Sequence, residues 1–282
     1  MNRNIRTLYT LAVILALGPL DTGCDSSDNI VNPPEQWVLT MADEFDSGTS
    51  PSDELWTFET GYGDSPGWGN DESQEYTTSP DNVRVEGGNL VITARCPVKP
   101  CGKRDGSITS ARITTQNLFQ QERGRFEARI KLPAGQGLWP AFWMLGANID
   151  EVPWPGCGEI DVLEYQGQRP ERVFGSLHGP GYSGGQATSR DFELPGGETF
   201  ADDFHVFAVE WDPGRIAWSV DDEVYGIVRS AEVASRGDWV FNNEFFVILN
   251  LAVGGTLGGQ VDDAVFPAEM LVDYVRIFER AQ

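Results

Sequence analysis

The sequence predicts an all-β protein built as a jelly-roll sandwich of two sheets. Short runs of alternating apolar and polar residues recur along the chain, separated by Gly, Pro and Asp turns. No long segment keeps the 3.6-residue period of an amphipathic helix. The chain has 282 residues, of which 40% are hydrophobic, and this is enough for one large core between two sheets.

Strand signals continue from Trp37 to the end of the chain. The stretch "NVRVEGGNLVITAR" contains two alternating runs joined at Gly87 and Gly88, as in a β-hairpin, and "DPG" at 212–214 is a turn between two further runs. Only "SDELW" and "SAEVAS" are predicted to form a helical turn or two. No repeat or change in composition divides the rest, so residues 37–282 are predicted to form one domain.

The first 36 residues are predicted to lie outside that domain. Two arginines, a short apolar run and small residues give residues 1–23 the layout of a signal peptide, although an N-terminal strand is the alternative. Cys24 follows "LDTG", which resembles a bacterial lipoprotein cleavage box, so a lipid anchor is predicted there. Residues 24–36 are polar and are predicted to form a linker. We therefore expect export from a bacterium, as a secreted protein or an outer-membrane or cell-surface lipoprotein.

The charge of the chain limits its partners. The formal net charge is -23, and no basic stripe is present to neutralise phosphates, so nucleic acid is excluded. Polyanionic ligands are disfavoured for the same reason. A neutral partner fits best, and we expect the protein to act as a monomer.

The four cysteines do not predict a zinc site. Cys96 and Cys101 in "CPVKPC" are close enough in sequence to close a small loop, and Cys157 is predicted to be a buried thiol. Zinc spacing with histidine partners is absent, since the chain has only His178 and His205.

Three carboxylates lie close together in "GEIDVLEYQG", residues 158–167. In a regular strand Glu159 and Asp161 share a face and Glu164 points away. A β-bulge at Val162 and Leu163 would return Glu164 to the face of the other two, with Leu163 as the extra residue and Val162 still in the core. The alternative is a solvated acidic strand in which the carboxylates have no joint role.

If the carboxylates meet, their chemistry is that of a glycosidase. Retaining glycoside hydrolysis needs two carboxyl groups about 5 to 5.5 Å apart, one as nucleophile and one as acid/base. A middle carboxylate can position the nucleophile, and its charge raises the proton affinity of its neighbours.

Aromatic residues near this motif favour a carbohydrate groove. Trp139 and Trp143 are four residues apart, so on a strand they share a face on which a glucan is predicted to lie; two core tryptophans are the alternative. Trp154 lies in a loop rich in Pro and Gly. Trp68 lies in "GWGNDESQEYT", which is predicted to form a rim loop.

Polar residues near the groove are candidates for hydrogen bonds to hydroxyl groups. In the rim loop, Asn70, Glu72 and Gln74 alternate. His178 follows a short strand and is a candidate groove residue, whereas His205 is expected to be structural.

Taken together, the motifs resemble the laminarinase-like branch of glycoside hydrolase family 16, which includes bacterial endo-β-1,3-glucanases. "WPAFWML" and "WPGCGEIDVLEYQG" carry the resemblance, and "GWGNDESQEYT", "GNLVITA", "HVFAVEWDPGRIAWSVD", "FFVILNLAVGG" and "VDYVRIF" match other blocks, so that it covers residues from about Trp37 to Phe278. It implies a concanavalin A-like β-jelly roll with an open substrate cleft on the concave sheet and retaining cleavage of β-glucans without a catalytic cofactor.

The resemblance also implies roles for individual residues. Glu159 resembles the nucleophile, Asp161 the assisting carboxylate and Glu164 the acid/base. Trp139, Trp143, His178 and Arg112 match positions associated with substrate, and Asn70 matches a rim asparagine. A structural calcium ion on the convex face is implied at Glu44, Gly88 (through its carbonyl) and Asp273.

The expected activity is therefore endo-β-1,3-glucanase (laminarinase) on β-glucan, with mixed-linkage β-1,3-1,4-glucan as a further substrate. An agarase-like galactanase of the same fold is an alternative, and a κ-carrageenase fits less well because its substrate is sulfated. A lectin-like jelly roll that binds glucan without cutting it predicts loss of Glu159 or Glu164, and both are present. A purely structural cell-surface protein would leave the aromatic groove without a use.

Overall fold

The structure is a computed structural model that describes residues 37–281. The predicted signal peptide at 1–23, the lipid anchor at Cys24 and the linker at 24–36 lie outside the described residues. Within the described part, no helix is long and apolar enough to cross a membrane.

Strands account for most of the regular structure of the described residues, together with two short α-helices, 3₁₀ turns at Gly184–Gln186, Pro195–Gly197 and Asp263–Val265, and a π-helical turn at Gly67–Asp71. The elements are β1 Trp37–Asp43, β2 Thr57–Glu59, β3 Glu75–Tyr76, β4 Val83–Glu86, β5 Asn89–Ala94, β6 Thr109–Ser110, β7 Arg112–Thr114, β8 Gly124–Lys131, β9 Leu138–Gly146, β10 Glu159–Tyr165, β11 Arg172–His178, β12 Thr188–Glu193, β13 His205–Asp212, β14 Arg215–Val220, β15 Glu223–Arg229, α1 Ser230–Val233, β16 Phe245–Val253, α2 Gly255–Gly258 and β17 Ala268–Arg280.

Two antiparallel sheets stack to form the sandwich. One has the order β15-β14-β13-β8-β17-β5-β4, with β1 also paired to β17, and the other has the order β12-β11-β10-β9-β16-β7-β2. We call them the eight-stranded and the seven-stranded sheet. Strands β3 and β6 form a small parallel pair beside them. The prediction of an all-β, two-sheet jelly roll is confirmed.

The two turns that the sequence predicts between neighbouring strands are present in the structure. Gly87 and Gly88 both have positive φ, 62° and 75°, and connect β4 to β5 with Glu86 opposite Asn89. Such a two-residue turn requires left-handed backbone at both positions, which glycine adopts without a steric penalty. Residues 212–214 likewise turn β13 into β14. The predicted helical turn in "SAEVAS" is α1, whereas "SDELW" forms only a hydrogen-bonded turn.

The main core lies between the two sheets, and it explains why the inner strands are apolar along their whole length. Every residue of β16 is buried: one face of the strand meets the core, and on the other face Phe246 and Ile248 lie in a second apolar cluster and Asn250 is hydrogen-bonded to Tyr76 and Trp143. This second, smaller cluster lies under the loop that follows β9; it consists of Leu145, Cys157, Phe246 and Ile248. Cys157 is a buried free thiol, as predicted.

Cys96 and Cys101 are joined by a disulfide. The bond closes the loop between β5 and β6 that the sequence suggested.

Candidate active site

The three carboxylates lie on β10, in the middle of the seven-stranded sheet. Against β9, Asp161 pairs with Trp143 and Leu163 pairs with Phe142, so Val162 has no partner. Against β11 the register also shifts between Asp161 and Glu164. The predicted bulge is therefore present at Val162 and Leu163. The unpaired residue on the β9 side is Val162, not Leu163 as predicted, and both side chains are buried in the core.

The bulge brings Glu164 to the face that carries Glu159 and Asp161. We call this the cleft face of the seven-stranded sheet. Without the extra residue, the alternation of a strand would turn the Glu164 carboxyl into the core. The reading of a solvated acidic strand is wrong, because Asp161 is buried and the side chain of Glu159 is only 16% exposed.

Hydrogen-bond donors distinguish the two glutamates. Trp154 Nε1 donates to Glu159 Oε2 at 2.7 Å, and His178 Nε2 lies 3.6 Å from Glu159 Oε1 and 3.1 Å from Asp161 Oδ2. Glu164 accepts only the Ser176 hydroxyl, at 3.2 Å, among the contacts of the described residues. One hydrogen bond from an indole N–H and the nearby imidazole stabilise an ionised Glu159, whereas Glu164 has much less to stabilise a charge.

The pKa values of the two carboxyls follow this difference. Burial and the charge of Asp161 raise the pKa of Glu159 to about 7, although His178, Trp154 and Arg112 oppose the rise. Burial and the charges of Asp161 and Glu159 raise the pKa of Glu164 well above its ordinary value. Glu164 is therefore the carboxyl that keeps its proton, and Glu159 is the one that ionises first.

His178 is held between the carboxylates and a loop. Burial opposes protonation of the ring, but the hydrogen bond with Asp161 and the surrounding carboxylate charges outweigh burial and raise the pKa of His178 to about 9. The Gly184 N–H donates to Nδ1 at 3.0 Å, and Nδ1 accepts this bond only in the neutral ring. In either state Nε2 carries a proton and faces Asp161 and Glu159.

Arg112 lies between two indoles on the β7 side of the carboxylates. Its guanidinium carbon is 4.5 Å from the centre of the Trp68 ring and 4.7 Å from that of Trp143, and Nε pairs with Glu59. Because Arg112 is almost fully buried, it orders the two aromatic rings and has little surface for a sugar. Trp68 has a left-handed φ of 56°, and its indole is held by a hydrogen bond from Nε1 to the Gly61 carbonyl at 3.3 Å and by packing against Tyr76.

The rim loop is anchored by a buried carboxylate. Glu72 accepts hydrogen bonds from Gln74 Nε2 at 2.6 Å, Tyr76 OH at 3.2 Å and Asn70 Nδ2 at 3.4 Å. Burial raises the pKa of Glu72 in spite of these donors. Asn70 is exposed at the rim, but Glu72 and Gln74 are buried. The prediction that Glu72 and Gln74 bond sugar hydroxyls is therefore wrong.

The predicted tryptophan platform is present only in part. Trp143 lies beside Asp161 and is half-buried, and Trp154 is 45% exposed next to Glu159. Trp139 is only 9% exposed, because α2 covers it: a Cβ on Gly255 would lie 3.2 Å from its ring. A glucan lying across Trp139 and Trp143 is therefore not supported, and Trp143 and Trp154 provide the accessible aromatic surface.

Sequence reasoning missed the β12 side of the cleft face. A cavity of about 270 Å³ lies there, lined by Gln166, Arg169, Arg172, Phe174, Ser189, Asp191 and Leu257. Its residues come from β11, β12, the loop after β10 and α2. Phe174 pairs with Glu164 across the sheet, and Asp191 pairs with Phe174. No local motif marks these positions, because only strand register places them beside Glu164.

The residues predicted to hold calcium face arginines. Both carboxylate oxygens of Glu44 accept from Arg276 at 2.8 Å, and Asp273 Oδ2 accepts from Arg129 at 2.8 Å. Calcium needs six to eight oxygens, and a guanidinium in the same place repels it. The side chains of Glu44 and Asp273 as placed do not fit the cation, and Gly88 would offer only its carbonyl.

One group of side chains in the described part of the chain is close enough to hold a metal ion. Its ligand atoms, from Glu159, Asp161 and His178, all lie within 4.8 Å of one another. Both of its carboxylates belong to the cluster on β10 described above, so we do not treat this group as a separate metal site.

Comparison with known proteins identifies the family to which the chain belongs. The family model of glycosyl hydrolases family 16 matches residues 70–275. The chain is 39% identical to a beta-glucanase from Rhodothermus marinus over 97% of this chain and 94% of that protein. The chain therefore belongs to glycosyl hydrolases family 16.

Solved structures agree with this assignment. The laminarinase catalytic domain from Thermotoga maritima superposes with a TM-score of 0.82 at 44% identity, covering 88% of this chain and all of that domain. An endo-beta-1,3-glucanase from Pyrococcus furiosus gives a TM-score of 0.82 at 45% identity, covering 87% of this chain and 95% of that protein. The resemblance inferred from the motifs is confirmed.

Proposed function

We propose that the protein is a retaining endo-β-1,3-glucanase that cleaves laminarin-type glucans and also accepts mixed-linkage β-1,3-1,4-glucan. The observation that carries this proposal is the bulge in β10, which puts Glu159 and Glu164 on one face with Asp161 between them. The family assignment and the similar laminarinases support the same activity.

The contacts suggest a double displacement. Glu164, with its raised pKa, protonates the oxygen of the leaving sugar while the ionised Glu159 attacks the anomeric carbon. Asp161 lies 3.1 Å from His178 Nε2 and positions this imidazole beside one oxygen of Glu159, and Trp154 donates to the other oxygen of Glu159. Glu164, now ionised, takes a proton from water, and that water releases the sugar with retained configuration.

The substrate is tested with the purified protein and four polysaccharides: laminarin, barley mixed-linkage glucan, carboxymethylcellulose and agarose. We expect a ladder of short oligosaccharides from laminarin, and the result with barley glucan sets the breadth of the activity. Cleavage of agarose alone would overturn the substrate and favour the galactanase alternative. Binding of laminarin without any cleavage would favour the lectin alternative.

Glu159→Gln tests the nucleophile. The amide keeps the shape of the side chain but cannot attack carbon, so we expect loss of hydrolysis by at least about 10³-fold with laminarin binding retained. Product release from laminarin and the affinity for laminarin oligosaccharides are measured on the same preparation. Near-wild-type turnover by the variant would show that the assignment is wrong.

We further propose export as a lipoprotein anchored at Cys24, which the N-terminal sequence alone supports. Metabolic labelling with a radioactive fatty acid should label the full-length chain and not Cys24→Ala. A labelled variant would contradict the anchor site.

A structural calcium ion stays a prediction from the family resemblance. Since arginines occupy the carboxylates of Glu44 and Asp273, bound calcium would have to rely on main-chain oxygens such as the Gly88 carbonyl. Thermal unfolding in calcium and in chelator checks it: a higher Tm with calcium supports the site, and equal Tm values contradict it.

A further inference from the structure

The carbonyl of Asp161 is bonded from the opposite side of the protein core. Trp218 Nε1 donates to this carbonyl at 2.8 Å, and both atoms are buried. Trp218 lies on β14 in the eight-stranded sheet, whereas Asp161 lies on β10 in the seven-stranded sheet. Carbonyls of a regular strand bond sideways to the neighbouring strands. At this point the bulge interrupts the ladder, and an indole from the other sheet satisfies the carbonyl.

Gly175 provides the space for this indole. It lies on β11 between Phe174, which pairs with Glu164, and Ser176, which pairs with Asp161, so it faces the bulge. A Cβ at this position would lie 2.2 Å from Trp218 Nε1 and 2.3 Å from Cδ1. The backbone of Gly175 is not left-handed, so steric space rather than conformation requires glycine here. The indole therefore reaches Asp161 only because residue 175 has no side chain.

The position of the hydrogen bond relative to the three carboxylates determines which of them it affects. Glu159 precedes the bulge and is held by Trp154 and His178. Glu164 follows the bulge. Its position on the cleft face depends on the backbone conformation of Val162 and Leu163, which lie between it and Asp161. The hydrogen bond from Trp218 fixes the Asp161 carbonyl, which is the first backbone group of the bulge.

We propose that Trp218 is a positioning residue for Glu164: its indole N–H, admitted by Gly175, fixes the bulge that aims the acid/base at the leaving group. Trp218 is fully buried in the core and does not touch substrate, so it acts only through the backbone of β10. This proposal rests on the retaining mechanism proposed above and adds a residue from the opposite sheet to it.

Trp218→Phe in the full-length protein tests the proposal, because phenylalanine keeps an aromatic ring and removes the N–H. Trp211→Phe is the matched control. Trp211 is also fully buried, lies on the neighbouring strand β13, and its Nε1 makes no hydrogen bond within the described residues. Both variants lose a similar volume from the same core, and Trp218→Phe also removes the donor of a buried carbonyl, so we expect Tm to fall in both variants and to fall further in Trp218→Phe.

The two variants should differ in activity on laminarin. A displacement of the acid/base by a fraction of an ångström should lower kcat/KM of Trp218→Phe about 10- to 100-fold. Trp211→Phe should stay within about threefold of the wild type, since its indole does not touch the bulge. Equal activity of the two variants would overturn the proposal, because Trp218 would then serve only packing.

A substrate with a good leaving group separates positioning from general loss of structure. Dinitrophenolate departs without a proton, so kcat/KM for a dinitrophenyl laminaribioside depends on Glu159 and hardly on Glu164. Trp218→Phe should therefore remain within about threefold of the wild type on this substrate while it loses activity on laminarin. An equal loss on both substrates would overturn the assignment to Glu164.

Gly175→Ala provides a second route if Trp218→Phe does not fold. The added methyl group displaces the indole from the Asp161 carbonyl, although residue 218 is still tryptophan. We therefore expect the same decrease in kcat/KM on laminarin, with little change on the dinitrophenyl substrate. A fully active Gly175→Ala enzyme would overturn the proposal. If the wild type left laminarin intact but cleaved another glycan, the proposed substrate would fail, whereas the comparison on that glycan and its dinitrophenyl glycoside would still decide the role of Trp218.

Discussion

At the scale of single residues, the site separates two glutamates of the same chemistry by their surroundings. Glu159 faces an indole N–H and an imidazole N–H, and Glu164 faces one hydroxyl group. Asp161 lies between them and its charge raises the proton affinity of both. The donors at Glu159 offset part of this effect, so one carboxyl is available as a nucleophile while the other still holds its proton.

His178→Asn should move the pH profile of kcat/KM to higher pH. In the wild type, the proton on Nε2 favours the ionised forms of both glutamates and lowers their pKa values. Without it the pKa of Glu159 rises above about 7, so the acid limb moves up; the pKa of Glu164 rises as well, so the alkaline limb follows. Rates on laminarin across the pH range measure both limbs.

The other histidine provides the control for this experiment. His205 lies on the eight-stranded sheet and pairs with Asp221, so His205→Asn should leave both limbs in place. A profile of His178→Asn that is unchanged, or that moves to lower pH, would contradict the role given to Nε2.

At the scale of elements, the sequence predicts what depends on neighbours along the chain and misses what depends on strand register. The alternation rule applied to Glu159, Asp161 and Glu164 leads directly to the bulge, and the Gly87–Gly88 turn follows from its own residues. In contrast, Phe174 and Asp191 come beside Glu164 only through pairing of β10, β11 and β12.

The same limit explains the errors in the rim loop and at Trp139. Alternation of Asn70, Glu72 and Gln74 would give one exposed face on a regular strand, but this segment includes a tight turn with positive φ at Trp68, Gly69 and Asp71. Glu72 and Gln74 are therefore turned inward. Trp139 shares a face with Trp143 as predicted, but α2, which is distant in sequence, covers it.

Glu72→Gln should weaken substrate binding more than it slows chemistry. Hydrogen bonds connect Trp143 to Asn250, Asn250 to Tyr76 and Tyr76 to Glu72, so the buried carboxylate is the final acceptor. Glutamine at position 72 has one N–H₂ group where Glu72 has an acceptor oxygen. This group faces one of the three donors that Glu72 accepts from, so that hydrogen bond is lost and the network that ends at Trp143 is weakened. We expect KM for laminarin to rise about 3- to 10-fold with kcat within about twofold.

Glu75→Gln is the control for the rim network. Glu75 lies in the same segment, is half-buried, and accepts only a long bond from Tyr62 at 3.5 Å among its described contacts. KM should not change in this variant. A fall in kcat with unchanged KM in Glu72→Gln would show that Glu72 affects the catalytic carboxylates and not the substrate surface.

At the scale of the whole molecule, the two sheets carry different kinds of polar residues and pack against each other through a common core. The seven-stranded sheet carries the three carboxylates and His178, and the eight-stranded sheet carries arginine–carboxylate pairs on strands such as β8 and β17. Trp218 connects the two through its bond to Asp161. The prediction of a two-sheet core follows from hydrophobic patterning, but a single side-chain contact between sheets leaves no periodic signal in the sequence.

The overall charge leads to a prediction about salt. The protein has a formal net charge of -23, which would repel a sulfated polysaccharide, and added salt would relieve that repulsion because the Debye length shortens to about 8 Å at physiological ionic strength. A neutral β-glucan experiences no such force, and the carboxylates proposed to act in catalysis are buried, where salt screens them little. We therefore expect kcat/KM on laminarin to vary by less than about twofold between roughly 0.02 and 0.5 M sodium chloride. Initial rates at low laminarin concentration measure this directly. A tenfold change in either direction would contradict the prediction, because it would show that exposed charges of the protein control its activity on an uncharged glucan.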